Sequence, residues 1–257
     1  MKRYMTALAV LLLVCVISVF AFTACNFKLG EMDGDEYFSG TDKERCVELV
    51  DDFFEETLKD PDFVVTCTNK DGVVQYTETV KGTSAYTLLK NGAKEYAFKK
   101  GGHFYVAMIH YSQNSVNETV EDHHYYCSDS TKPGYYADTE DCTMEDRYNL
   151  CFCQFMNKEL GVGLIKELPE EGATFQGMHH IEWVSNYPTA TLDFTYTTDE
   201  GTVTLTASSD GDKVRSVRLV IDAAAGDDSD IDLTWTFVHG DASVTLPDTD
   251  AWDRGNA

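Results

Sequence analysis

Cysteine, histidine and clustered acids are the residues from which this chain could build chemistry. Eight cysteines occur, and Cys15 and Cys25 fall in or just after an N-terminal apolar stretch. The other six are Cys46, Cys67, Cys127, Cys142, Cys151 and Cys153. An even number permits disulfides, in many connectivities. Cys127 and Cys142 flank a polar loop and form the best-placed pair. Closing a loop of about 15 residues would stabilise by roughly 3 kcal/mol. The other reading is buried free thiols, which behave as small hydrophobes. Cys151-Phe152-Cys153 suggests a metal, but residues two apart on a helix point about 200° from each other. His123-His124 near Cys127, and His179-His180, are the imidazole pairs. Neighbours on a strand face opposite ways, so each pair offers one ligand to a shared zinc site. Asp227-Asp228-Ser229-Asp230-Ile231-Asp232 has the acids of a calcium loop without its central Gly or its bidentate Glu. It also falls between two strand patterns, where a charged hairpin tip is expected. No nucleophile elbow, phosphate loop or HExxH motif is present. The expectation is a non-enzymatic chain with no metal and no cofactor.

The elements that would position these residues follow from periodicity. Thr41-Asp42-Lys43-Glu44 has capping-box spacing. Cys46, Leu49, Val50, Phe53 and Phe54 then recur on one helical face, until Asp60-Pro61 ends the helix. Alternation marks strands at Phe63 to Thr68, Val74 to Val80 (with Glu78 out of pattern), Ala85 to Leu89, Tyr96 to Phe98 and His103 to Tyr111. Val116 to Tyr126 is a further strand, and Ser128 to Asp141 is a loop. Thr143 to Leu160 returns to helical period through Met144, Tyr148, Cys151, Phe152, Phe155 and Met156, with Gly161 as a stop. Strands then recur around Leu192, Leu205, Leu219 and Trp235, and Val244 with Leu246 close the sheet before Pro247.

Short turns imply antiparallel pairing, because parallel pairs need long crossovers. The expected fold is therefore α+β: one large curved antiparallel sheet, a half-barrel, with helices packed on its concave face. Phe53, Phe54, Phe155, Phe194, Trp235 and Phe237 sit on faces that would meet between helix and sheet. They line either an apolar ligand cavity or a filled core.

Charge narrows the partners. The formal net charge is −24, and setting aside Lys2 and Arg3 leaves 18 basic against 44 acidic residues. Nucleic acid needs a basic footprint and is excluded as a partner. Flat docking of the domain on an anionic membrane is disfavoured for the same reason.

At the N-terminus, Lys2 and Arg3 precede an apolar run from Met5 to Phe22, followed by Phe22-Thr23-Ala24-Cys25. The basic start, greasy core and small-residue exit describe a secretory signal. Its last four residues resemble the bacterial lipobox, with Phe22 where that family prefers Leu. The resemblance implies cleavage before Cys25 and lipid on its thiol. Uncleaved anchoring and plain cleavage remain the other readings. The domains expected are a signal peptide over 1–24, a lipidated Cys25 with an irregular tether over 25–41, a β-rich domain over 42–247, and a polar tail over 248–257. This places a monomeric chain outside the cytoplasm, on a bacterial cell-envelope membrane, through its lipid anchor.

The element order, the amphipathic first helix and the lipobox together look like the lipoprotein-carrier (LolA-like) half-barrel group. Lys94-Glu95-Tyr96-Ala97-Phe98 and Asp241-Ala242-Ser243-Val244-Thr245-Leu246-Pro247 are similar to segments of small lipoproteins of that kind. The resemblance covers residues 42 to 247 and implies an acyl chain or other lipid held between sheet and helices. Fold analogy does not fix function. The alternative is a non-enzymatic interaction or regulatory lipoprotein with a filled core, acting through its surface.

Overall fold

In the computed structural model, the residues described are 35–40, 43–113, 118–152, 173–184, 187–199, 201–223 and 230–248. The proposed signal, Cys25, Cys153, Phe155 and the polar tail beyond residue 248 lie outside them, as do 224–229 of the acidic hairpin tip.

The strands are β1 (Glu36–Gly40), β2 (Asp62–Asn69), β3 (Val74–Lys81), β4 (Ser84–Leu89), β5 (Lys94–Lys100), β6 (His103–Gln113) and β7 (Thr119–Cys127). They continue as β8 (Thr174–Val184), β9 (Tyr187–Thr198), β10 (Gly201–Asp210), β11 (Lys213–Ala223) and β12 (Ile231–His239). Two helices are described, α1 (Lys43–Lys59) and α2 (Met144–Cys151).

All twelve strands form one open antiparallel sheet in the order β1-β8-β9-β10-β11-β12-β2-β3-β4-β5-β6-β7. The two strand runs read from the sequence are thus halves of one layer, joined where β12 pairs with β2 (Trp235 opposite Cys67, Phe237 opposite Val65). Register places Phe63, Val80, Ala85, Ala97 and Val106 in one row on one face. The opposite face carries Thr66, Thr77, Thr234 and Thr236, as the alternation requires.

The first helix forms where the stripe predicts it. Cys46, Leu49, Val50, Phe53 and Phe54 are buried in a cluster with Phe63, Leu192, Phe194, Leu219 and Trp235. The C-terminal half of α1 is also tied by a buried bond: the Val214 amide donates to Thr57 Oγ1 at 2.9 Å. The second helix begins with a reciprocal capping box between Thr143 and Asp146. It buries Met144 and Tyr148 against Ala97 and Val106. The Arg147 guanidinium lies between the rings of Tyr126 and Tyr136, 4.9 and 4.3 Å from their centroids.

Two expectations are corrected, and one strand is added. Part of the presumed tether is β1, which pairs with β8 from Glu36 opposite His179 to Gly40 opposite Phe175. Thr174–Val184, which carries no clear strand pattern, is an eleven-residue strand. Val244 and Leu246 form no strand; Gly240 and Asp241 adopt left-handed backbone (φ 81° and 58°) and turn the chain away. β12 already has β11 and β2 as neighbours, so that segment has no place beside it. Instead the Ala242 amide bonds to Asp62 Oδ1 at 3.0 Å.

Candidate functional site

Five of the six aromatic residues expected to line a cavity are described, and all five belong to one cluster. α1 supplies Phe53 and Phe54, whose rings meet edge-on at 5.4 Å. β9 supplies Phe194, flanked by Phe38 at 6.3 Å and Phe175 at 5.8 Å. β12 supplies Trp235 and Phe237. The Trp235 indole donates to Tyr76 Oη at 2.6 Å, and Phe237 packs 5.5 Å from Phe63. Trp235 is 0% and Phe194 1% exposed. A ring beside a hollow large enough for an acyl chain would expose surface to a water-sized sphere. Neither ring exposes such surface, as in a packed core.

Among the described residues four polar side chains are buried: Thr57, Glu78, His179 and Ser209. Ser209 Oγ accepts from the Ala190 amide at 3.1 Å and donates to the Gly211 carbonyl at 3.3 Å. Glu78 stands in the inner row between Val65 and Thr87, which explains why it broke the alternation. His179 packs edge-on to Phe53 at 6.3 Å. Its Nε2 has no hydrogen-bond partner, and burial pushes its pKa below the ordinary imidazole value.

A concave site lies elsewhere. Asp210, Asp212, Lys213, Arg215, Phe237 and His239 line an open hollow of about 410 Å³. It forms because the β10–β11 turn stands beside the last residues of β12. His239 Nε2 donates to the Val214 carbonyl at 2.6 Å, and its ring stacks on Phe237 at 6.1 Å. Two carboxylates and two cations therefore share one rim, chemistry suited to a ligand bearing both charges. Sequence reading passed over this group because its members come from β10, β11 and β12 and meet only through strand pairing.

The thiol and imidazole expectations resolve as follows. Cys127 and Cys142 are free, so the expected bridge is not formed. Cys127 lies under Tyr105 and Tyr125 on one face of the sheet. Cys142 leads into α2, which packs on the other face against Ala97 and Val106. Their thiols donate to different carbonyls, of Asp129 and Thr143. His179 is buried, whereas His180 faces the opposite way and pairs with Asp35. His123 bonds Glu121 on β7, at one edge of the sheet, and β8 is next to the other edge. The two histidine pairs are thus not brought together in the strand order. Asp232 forks onto Arg218 at 3.0 and 2.8 Å, and Asp230 accepts from the Ala223 amide. Among the described residues no group of three or more ligating side chains is arranged around a metal position.

The chain matches no protein-family model, no curated protein and no solved structure. The reading of function therefore rests on the residues themselves.

Proposed function

We propose that this chain is an exported lipoprotein, held on a cell-envelope membrane by lipid on Cys25, whose sheet domain acts through its surface over a filled, structural interior. The fold reading that accompanies it is a half-barrel with α1 and α2 on the concave side. It is supported by the single row that joins Phe63, beside α1, to Val106, beside α2. The observation that carries the functional reading is the closed packing at Trp235 and Phe194. An acyl chain between sheet and helices, the other expectation, requires α1 to lift and break the Thr57–Val214 bond.

The test is mass spectrometry of the full chain purified from bacterial membranes. The expected result is an acylated peptide beginning at Cys25 and no stoichiometric lipid beyond it. An unmodified Cys25 overturns the anchor. One further lipid per chain, released by solvent extraction, overturns the filled interior and restores the carrier.

A further inference from the structure

Seven histidines occur in the chain, and five have settled places. His103 Nδ1 lies 3.4 Å from Ser128 Oγ, His123 bonds Glu121 at 3.2 Å, and His180 pairs with Asp35. His239 donates to the Val214 carbonyl, and His179 is buried beside Phe53. His110 and His124 remain. Neither makes a hydrogen bond or an ion pair among the described residues. They meet each other instead, with ring centres 5.9 Å apart and planes at 66°.

Strand pairing brings them together. Met108 stands opposite His124, and His110 opposite Asp122. Residues two apart on a strand share a face, so Met108, His110, Asp122 and His124 project from one side of the β6–β7 hairpin, with His110 and His124 as diagonal neighbours. His123 projects from the other side. The Ser112 hydroxyl donates to Asp122 Oδ2 at 2.7 Å and holds a carboxylate on the same side as the two rings. His110 is exposed and His124 half-buried, so an ion from solvent can reach both. Two imidazoles on one ion, with metal–nitrogen bonds of about 2.0–2.1 Å, have ring centres roughly 5–6 Å apart. The observed separation meets that requirement, so the strands need not move.

We propose that His110 and His124 chelate a divalent transition-metal ion, copper(II) in preference to nickel(II) or zinc(II), with water in its remaining positions. Imidazole suits all three ions, and copper(II) stands highest in the affinity order for such donors. The Asp122 carboxylate and the net charge of −24 raise the local concentration of cations. Two side-chain donors in contact with solvent make an exchangeable site, whereas a structural zinc site closes four ligands around its ion. The sequence places His124 beside His123 and hides its partner, because His110 reaches it only through the β6–β7 register. Neither the lipid anchor nor the packed interior enters this inference, which goes beyond the surface role proposed above by naming a ligand.

Copper(II) titration of the full chain, first stripped of metal by a chelator, tests this. The bound ion is expected to show two imidazole nitrogens in its electron paramagnetic resonance spectrum. Affinity should rank copper above nickel and zinc. His110→Gln and His124→Gln should each weaken copper binding by about tenfold or more, because the second imidazole acts at high effective concentration. Each should also reduce the spectrum to one nitrogen. His123→Gln, on the other side of β7, should change neither. In the unaltered chain, zinc should shift the imidazole resonances of His110 and His124 before those of His103, His180 and His239. Unchanged copper affinity in the double variant overturns the site, as does a parent spectrum with one nitrogen or none. Zinc shifts that begin at any other histidine overturn it without recourse to a variant.

Discussion

His179 is an imidazole placed where its charged form is unwelcome. It is 5% exposed, beside Phe53, and burial lowers its pKa against the opposing pull of Glu36 and Asp52. Arg45 and His180, also nearby, act in the same direction as burial. The folded state therefore binds this proton less readily than the unfolded chain, whose histidine titrates near ~6.5. Stability from keeping His179 neutral is fully present above that value and is lost as pH falls through it toward the lower folded value. His180, raised by Asp35, has the opposite sign but lies exposed, where screening weakens it. Urea midpoints measured from neutral to mildly acidic pH should fall in the parent and fall less in His179→Gln. Parallel curves would show that His179 is not the titrating group. Little of this was legible beforehand: the sequence places His179 and His180 on opposite faces of a strand, but which face is buried depends on Phe38, Phe53 and Leu192, far away in the chain.

At the scale of elements, β1 is the informative case. Its Phe38 is buried and lies directly over Gly177 of β8. A Cβ built at Gly177 would come within 2.0 Å of the Phe38 ring and 2.6 Å of the Asp193 carbonyl oxygen. Gly177→Ala should expel Phe38 and release β1, an overpacking cost of about 1–3 kcal/mol. Amide exchange at Tyr37 and Ser39 should accelerate strongly, with β10 and β11 unchanged. Unaltered exchange in β1 would refute this packing account. The same contact explains what the sequence hid. The inner positions of β8 are Phe175, Gly177, His179 and Ile181, so alternation is broken by a glycine that makes room and a histidine that is buried. β1 is five residues long, too short to show a period. By contrast β9 to β12 alternate apolar inner residues with polar outer ones, threonines on β9, β10 and β12, and were legible from that alternation. The first helix was legible because its stripe meets a single sheet face. The filling of the aromatic interior was not, since periodicity reports which side is apolar and never whether two apolar sides touch.

The whole molecule is an open sheet and must keep its edges from pairing with other chains. β1 is short. At β7 one end is closed by the following loop, where the Cys127 amide donates to the Gly134 carbonyl at 2.9 Å and the Tyr136 amide donates back to Cys127 at 2.8 Å. The other end of β7 runs through Thr119, Val120, Glu121 and Asp122, with Val120 38% exposed. No described strand flanks it, so its outward backbone groups are a template for a second copy. Glu118, Glu121 and Asp122 stand along that segment, and two copies aligned antiparallel would bring these acids face to face. Like charges directly opposite across paired strands are destabilising. Among the described residues, these acids rather than a covering element stand at this edge. Glu118→Gln, Glu121→Gln and Asp122→Asn together should increase concentration-dependent dimerisation over the parent chain in sedimentation analysis. Adding Val120→Pro, which blocks strand pairing, should bring dimerisation back to the parent level. A triple variant that stays monomeric at the highest soluble concentration would mean that the shape of the β6–β7 hairpin, and not its acids, keeps copies apart.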